Sequence, residues 1–325
     1  MRILFAGSPA IAVPSLEAIA AMCAGREGFV LAGLLTRADT PKGRSGRPEP
    51  TECAAAALAL SRQISPNLIT LKPDKLDHAA REQAAALKPD LLVSFAYGKI
   101  FGPQFLALFP LGGINIHPSL LPRYRGPTPI PAAILNREAA TGITIQRLAP
   151  EMDSGDILVQ ESVPLSGRET TAGLSGIMAK KAAELLPAAL QGIADGILKA
   201  VPQDHSAATY CPLIEKKDGL IDWNRSAAEL DAQIRAYDPW PLSWTVHGGL
   251  QLFVLQAEAL DNAGDVGTLP GQVLGKDADK GILIQTGKGI LAVSRLQYQA
   301  KKALEWKDFL NGTRNFMGIR LGVHN

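Results

Sequence analysis

Asn115 and His117 stand two residues apart, and an amide with an imidazole can together stabilise an oxyanion and move a proton. The segment around them alternates apolar and polar residues, which predicts a strand with Ile114 and Ile116 on the opposite face. Pro118 ends this strand because it has no backbone N–H to give to a sheet ladder. The amide and the imidazole are therefore expected to project together from the end of one strand.

A third polar residue, Asp153, follows the strand-like sequence GITIQRL in a loop that contains Gly155. A carboxylate in this loop could orient His117 and stabilise its protonated form. Two plainer interpretations stay open: a histidine beside a proline is often structural, and Asp153 and Asp156 could both be turn residues. For Asp156 we favour the turn.

Apolar strands alternate with helices over the first 200 residues, which predicts an open, mostly parallel sheet covered on both faces. A strand is expected at residues 2–6, and helices are expected near residues 14–22, 51–61, 75–87 and 170–198, where Pro187 could break the last helix. In such a Rossmann-like α/β domain, ligands bind beyond the carboxyl ends of the strands. Asn115 and His117 are expected at that edge.

The sequence pattern changes after residue 200. Residues 201–212 are typical of a linker, and residues 213–325 contain short strands rich in Val, Leu and Ile between glycine-containing turns. This pattern predicts a small antiparallel domain, and an OB-like β-barrel suits it. We therefore expect a catalytic domain at 1–200, a linker at 201–212 and a second domain at 213–325.

Several functional classes are disfavoured by what the sequence lacks. It has neither the G-x-G-x-x-G fingerprint of dinucleotide-binding enzymes nor a Walker-type phosphate loop. Its three cysteines show no paired spacing, so neither a zinc site nor a disulfide framework is expected. The apolar run at the N-terminus is too short for a signal peptide or a membrane span. We expect a cytoplasmic protein that has no membrane association.

The net charge of +2 gives no general reason to expect a nucleic-acid partner, so any such partner must be recognised locally. The most basic short stretch, TRADTPKGRSGRP, contains Arg37, Lys42, Arg44 and Arg47 beside one acidic residue, Asp39. Such a stretch could contact phosphates, or it could be a solvated surface loop.

The motif from Asn115 through His117-Pro-Ser-Leu-Leu-Pro to Arg123, with Asp153-Ser-Gly-Asp156 downstream, resembles the 10-formyltetrahydrofolate-dependent formyltransferases. Within them, nearly the whole chain is similar to the methionyl-tRNA formyltransferase family. The similar segments are FAGSPAIAVPSL, PKGRSGRP, AYG at 96–98, PRYRG at 122–126, and the block from IDWNRSAAEL to DPWPLSW at 221–244. The last block separates this family from shorter relatives that lack it.

The resemblance implies transfer of a formyl group from 10-formyltetrahydrofolate, a reduced folate used as co-substrate, to the α-amino group of methionine on initiator tRNA. It implies that His117 is the base, that Asn115 binds the formyl oxygen, that Asp153 sets the protonation of His117, and that no metal is needed. We further expect a monomer. The folate-binding residues that it implies are Phe95, Ala96, Tyr97, Gly98, Ser119, Leu120, Leu121 and Pro122. The tRNA-binding residues that we expect are Arg37, Lys42, Arg44, Arg47, Lys301 and Lys302.

The chain departs from the family pattern at two places. Pro127-Thr128 stands where the family commonly has Ala-Ala, and the sequence around Asp153 is Met-Asp-Ser-Gly where the family commonly has Leu-Asp-Thr-Gly. Three alternatives also stay open. The chain could be another formyl-folate transferase or hydrolase acting on a small molecule, it could be a non-catalytic RNA-binding protein, and Tyr97 could be a core aromatic residue.

Overall fold

The computed structural model describes residues 1–41, 46–63, 68–260 and 268–322, which form two compact units. The first unit comprises Met1–Pro129, Ala140–Pro164 and Ser175–Cys211, and the second comprises Ile130–Ala139, Leu165–Leu174 and Pro212–Asn325. The residues at 201–211, which the sequence presents as a linker, thus pack with the first unit.

Nine strands are found in the described part of the first unit. They are β1 (Arg2–Gly7), β2 (Val30–Leu35), β3 (Thr40–Pro41), β4 (Pro48–Glu49), β5 (Ile69–Leu71), β6 (Leu91–Phe95), β7 (Gly113–His117), β8 (Ala140–Arg147) and β9 (Ile157–Pro164). Seven of these strands form one sheet in the order β5-β2-β1-β6-β7-β8-β9, while β3 and β4 pair with each other. The pairs from β5 to β7 are parallel, and β8 and β9 add an antiparallel edge. The predicted open, mostly parallel sheet is confirmed.

The four helices that the sequence predicts are present with small shifts of their ends, and two short helices, Pro103–Leu106 and Pro129–Leu135, were not predicted. In chain order, these helices are α1 (Val13–Gly25), α2 (Glu52–Gln63), α3 (His78–Ala86), α4 (Pro103–Leu106), α5 (Pro129–Leu135) and α6 (Thr171–Ala194). The helix α6 continues through Pro187, so the break considered there does not occur. No helix in the described ranges is long and apolar enough to cross a bilayer.

Burial explains why the central strands have nearly continuous apolar sequences. Ile3, Leu4 and Phe5 of β1 are fully buried, and no residue of β6 is more than 5% exposed. A strand covered on both faces must be apolar at every position, whereas β9 at the sheet edge alternates buried and more exposed positions. Since β2 and β6 flank β1, the chain direction across the sheet reverses there, and a crevice opens at the carboxyl ends of β1 and β6.

The second unit contains a six-stranded antiparallel sheet. Its elements are α7 (Ala227–Ala236), β10 (Ser243–His247), β11 (Leu250–Leu260), β12 (Val273–Asp277), β13 (Gly281–Gln285), β14 (Ile290–Tyr298), β15 (Leu304–Glu305) and α8 (Trp306–Gly312). The strand order is β10-β11-β14-β13-β12, and β15 pairs with β14. Ser226 and Glu229 form a capping box that begins α7, because each side chain accepts a bond from the other residue's backbone N–H. The predicted small antiparallel C-terminal domain is confirmed.

Candidate active site

The strand β7 carries Asn115 and His117 on the same face, as its alternation predicts. Its register with β8 sets Asn115 opposite Gln146 and His117 opposite Thr144. On the other side, Asn115 is aligned with Ser94 of the parallel strand β6. Two polar side chains of β8 therefore border the predicted amide and imidazole.

Asp153 closes the cluster from the loop between β8 and β9. Its Oδ1 accepts hydrogen bonds from Asn115 Nδ2 at 3.3 Å and from Gln146 Nε2 at 3.0 Å. Its Oδ2 accepts the backbone N–H of Gly126 at 2.9 Å and lies 3.5 Å from His117 Nδ1. The structure thus brings together the three residues predicted to be catalytic. A role for Asp153 as a turn residue alone would not account for these contacts of its carboxylate.

The environment of His117 decides which of its nitrogens is basic. Its Nε2 lies 2.8 Å from the carbonyl oxygen of Tyr124, which can only accept, so Nε2 carries the proton. Nδ1 is therefore the nitrogen with the free electron pair, and it faces Asp153. Burial lowers the pKa of His117 below its ordinary value, while the charge of Asp153 and the bond to Tyr124 act against this shift. The imidazole is accordingly kept neutral and able to accept a proton.

Three further side chains hold this cluster, and sequence reasoning did not single them out. Gln146 could have been found, because the alternation in GITIQRL puts Thr144 and Gln146 on one face of β8. Gln203 and Arg125 gave no local signal, because Gln203 contacts Asp153 across 50 residues of sequence and Arg125 contacts Gln203 across 78. Gln203 is buried and donates to the backbone carbonyl of Asp153 at 2.9 Å, and Arg125 donates to Gln203.

The residues at 95–98 form the carboxyl end of β6 and the turn that follows. Phe95 and Tyr97 are buried, whereas Ala96 and Gly98 are exposed and have positive φ angles of 51° and 82°. Tyr97 stacks on Phe101 with ring centroids 5.4 Å apart and belongs to the core of the first unit. Its ring therefore has the core role that the sequence left open, although its buried hydroxyl has no hydrogen-bond partner in the part of the chain that the structure describes. Burial raises the pKa of Tyr97 to about 12.

A cavity of about 300 Å³ opens beside this turn. Its walls include Ser8 after β1, Arg37 after β2, and Ala96 and Gly98 after β6, so it occupies the crevice at the reversal of the sheet. Ser8 is fixed there by accepting the backbone N–H of Arg37 at 3.2 Å. The crevice borders the predicted folate-binding turn.

The loop at 119–122 is held rigidly by bonds to β8 and β9. Ser119 is fully buried and its hydroxyl donates to the carbonyl of Arg123 at 2.7 Å, so this side chain supports the loop from inside. Thr144 donates to the Ser119 carbonyl at 2.7 Å and accepts from the Leu121 N–H at 3.2 Å. Leu121 is buried as well, while Leu120 and Pro122 are partly exposed.

The residues predicted to contact tRNA lie at two separate places. Arg37 and Arg47 are exposed at the two ends of the basic stretch, where β3 and β4 pair. Lys42 and Arg44 lie outside the described residues. Lys301 and Lys302 are exposed in the turn between β14 and β15, where the Lys301 ammonium lies 5.5 Å from the centre of the Tyr298 ring. Among the described residues, no group of three or more His, Cys, Asp and Glu side chains could hold a metal ion.

Comparison with known proteins agrees with this arrangement over both units. The chain matches the Formyl transferase family at residues 1–190 and the Formyl transferase, C-terminal domain, family at residues 213–314. It is 49% identical over 322 residues to the methionyl-tRNA formyltransferase of Treponema denticola, with 98% of each chain covered. It is 44% identical to that of Treponema pallidum, with 99% of this chain and 100% of the relative covered.

Solved structures share the fold at lower identity. The N-formyltransferase of Helicobacter canadensis, solved with folinic acid and dTDP-3-aminofucose, has a TM-score of 0.63 at 19% identity and covers 90% of this chain and 98% of its own. HypX of Aquifex aeolicus, solved with tetrahydrofolic acid, has a TM-score of 0.62 at 17% identity over 100% of this chain and 51% of its own. Both family matches and the near full-length identity to the Treponema proteins lead to one conclusion. The chain belongs to the formyl transferase family, and within it to the methionyl-tRNA formyltransferases.

Proposed function

We propose that the protein transfers the formyl group of 10-formyltetrahydrofolate to the α-amino group of methionine on initiator tRNA, for translation initiation in the cytoplasm. The observation that carries this proposal is the cluster of Asn115, His117 and Asp153 at the carboxyl end of β7. The names of the relatives support the choice of acceptor, because their similarity extends through the C-terminal unit.

His117 acts as the base in this proposal. The attacking amine must lose a proton, and Nδ1 of the neutral imidazole can take it because Nε2 is already held by the Tyr124 carbonyl. Asp153 Oδ2, 3.5 Å from Nδ1, then stabilises the imidazolium. The lowered pKa of His117 favours the neutral form before the reaction, and the nearby carboxylate favours the charged form after it.

Asn115 stabilises the developing negative charge. Its Nδ2 has two hydrogens, of which one is directed at Asp153, so the other can donate to the formyl oxygen. The folate, when bound, supplies a formyl carbon on a nitrogen that can leave. No side chain needs to be acylated, and the proposal uses no metal.

The exposed turn at Ala96 and Gly98 and the loop at 119–122 suit a reduced folate. Both segments lie next to β7, and the cavity of about 300 Å³ is lined by the turn at Ala96 and Gly98. We propose that Phe95 and Leu121 support these segments from the core.

We propose that tRNA is bound by the basic stretch, through Arg37, Lys42, Arg44 and Arg47, and by Lys301 and Lys302 of the C-terminal unit. Lysine and arginine side chains would bind phosphates without reading sequence, and Arg37, Arg47, Lys301 and Lys302 are exposed. We propose that the first unit, which includes residues 201–211 of the expected linker, is the catalytic domain, and that residues 213–325 form an OB-like, tRNA-binding barrel. We also propose a monomer.

The decisive experiment offers labelled 10-formyltetrahydrofolate with three acceptors in parallel: methionyl initiator tRNA, the same tRNA uncharged, and glycinamide ribonucleotide. Label on methionyl-tRNA alone is the expected result. Label on the small acceptor, or release of free formate, would keep the chemistry and overturn the acceptor. Binding of tRNA with no transfer to any acceptor would favour a non-catalytic RNA-binding protein.

A further inference from the structure

Gln203 links the backbone on both sides of Ser154 to the interior of the first unit. Only 5% of the residue is exposed, and its Nε2 donates to the carbonyl of Asp153 at 2.9 Å and to that of Gly155 at 2.6 Å. A contact of 3.2 Å to Gln146 Oε1 adds a third partner. One amide thus holds the loop that presents the Asp153 carboxylate.

Arg125 fixes the direction of that amide. Its guanidinium donates to Gln203 Oε1 from Nε at 3.2 Å and from Nη2 at 2.7 Å. Because a guanidinium has donors only, the oxygen of Gln203 must face Arg125 and the NH2 group must face the two loop carbonyls. Arg125 is 1% exposed, and its guanidinium also contacts Tyr210 OH at 3.3 Å and His205 Nδ1 at 3.1 Å.

The conformation of Asp153 explains why the loop needs this support. Asp153 has φ of 54°, in the left-handed region that non-glycine residues adopt at a cost in energy. A residue held there keeps its conformation only when surrounding contacts fix it. The bonds from Gln203 to the carbonyls of Asp153 and Gly155 are such contacts, and they leave the Asp153 carboxylate free for Asn115 and His117.

We propose that Gln203, oriented by Arg125, is a positioning residue that holds the Asp153 carboxylate against His117 during formyl transfer. The inference rests on the proposed function. It assigns a role in the reaction to a segment that the sequence presents as a linker. Val201, two residues before Gln203, exchanges backbone bonds with Ile157 at 2.8 Å, so the segment is anchored directly beside the loop that it supports.

The test compares Gln203→Met, which keeps the length and removes the amide, with the wild type in the formyl-transfer assay. We expect kcat to fall on the order of tenfold with the KM for folate little changed, because a displaced catalytic group affects the transition state more than binding. Asp153 is the charged group that acts on His117, and the nearby Cys211 thiol stays neutral because burial raises its pKa. A displaced Asp153 stabilises the imidazolium less, which lowers the pKa of His117 further. In a plot of kcat against pH, the fall in kcat on the acid side should therefore occur at lower pH.

A second variant, Gln203→Glu, guards against loss of folding. Its carboxylate can pair with Arg125 and keep the interior packed, but it cannot donate to the loop carbonyls. We expect a similar fall in kcat. Gln191→Met makes the same chemical change on α6, where the glutamine bonds Asp195 near the surface, and should leave kcat unchanged.

Two results would overturn the inference: wild-type kcat in both Gln203 variants, or a fall in kcat in Gln203→Met with the acid limb unmoved. The second result would indicate a purely structural role, because a structural defect lowers kcat by the same factor at every pH. If the wild type formylates a small amine instead of methionyl-tRNA, the proposed acceptor fails. The same variants are then compared with that amine, so the two failures are distinguishable.

Discussion

His117 is subject to two opposed effects that suit a general base. Burial favours its neutral form, and Asp153 Oδ2, 3.5 Å away, favours the charged form. The sequence predicted Asn115, His117 and Asp153 because strand alternation and a polar loop residue are local signals. It did not predict Gln203 or Arg125, whose contacts join parts of the chain that are distant in sequence.

Replacing the base gives the first prediction. In His117→Ala, we expect kcat to fall by roughly 10²–10⁴, the usual contribution of a positioned acid or base. Folate binding, measured by equilibrium dialysis, should change little, because the predicted folate segments lie on other loops. His78→Ala is the matched control, since this histidine is exposed on α3 and pairs with Glu82 at 3.4 Å. Equal turnover in His117→Ala and the wild type would remove His117 from the mechanism.

The lowered pKa of His117 also predicts how stability depends on pH. As the pH falls through the ordinary histidine value of about 6.5, the unfolded chain binds a proton that the folded chain resists. The free energy of unfolding should therefore decrease from pH 7.5 to 5.5, and His117→Ala should weaken this decrease. Far-UV circular dichroism during urea unfolding reports both units, whereas all four tryptophans lie in the second unit. Tryptophan fluorescence reports the second unit, whose pH response the substitution should leave unchanged.

At the scale of elements, β7 and β8 were predictable, while the loop that joins β8 to β9 was predictable only in part. The sequence indicated a turn with a glycine, and the structure shows why Gly155 must be that glycine. A Cβ there would lie 1.9 Å from the carbonyl oxygen of Arg147, at the end of β8. The geometry of Asp153 depends on this close approach, which no local pattern encodes.

Gly155→Ala tests this dependence. We expect the variant to lose roughly 1–3 kcal/mol of stability, because either the loop or β8 must move to admit the methyl group. Formyl transfer should fall even in the folded fraction, since Asp153 shifts with the loop. Gly176→Ala in the exposed part of α6 meets no atom within 4 Å and should be neutral or more stable by about 0.5–1 kcal/mol. Wild-type thermal stability and activity in Gly155→Ala would contradict the argument.

At the scale of the whole molecule, the alternation of strands and helices sufficed to predict an open α/β sheet and then a small antiparallel domain. It could not predict that residues 130–139 and 165–174 pack with the C-terminal unit. Those segments are too short to have a core of their own, so sequence pattern says nothing of where they pack. The net charge of +2 was similarly uninformative about a nucleic-acid partner, which leaves local clusters of basic residues as the testable feature.

The last prediction concerns one such cluster, Lys301 and Lys302, in the turn between β14 and β15. If each binds a phosphate, replacing both with glutamine should weaken tRNA binding and reduce the slope of log K against log salt by roughly 1–2. Lys180 and Lys181 are the matched pair for control. They lie on α6 and pair with glutamates, Lys181 with Glu161 at 2.8 Å, so replacing them should not change the slope. Because the catalytic cluster lies in the other unit, kcat at saturating tRNA should be retained, and only KM should rise. An unchanged salt slope in the Lys301 and Lys302 variant would assign tRNA binding to other surfaces, of which the basic stretch after β2 is the first to test.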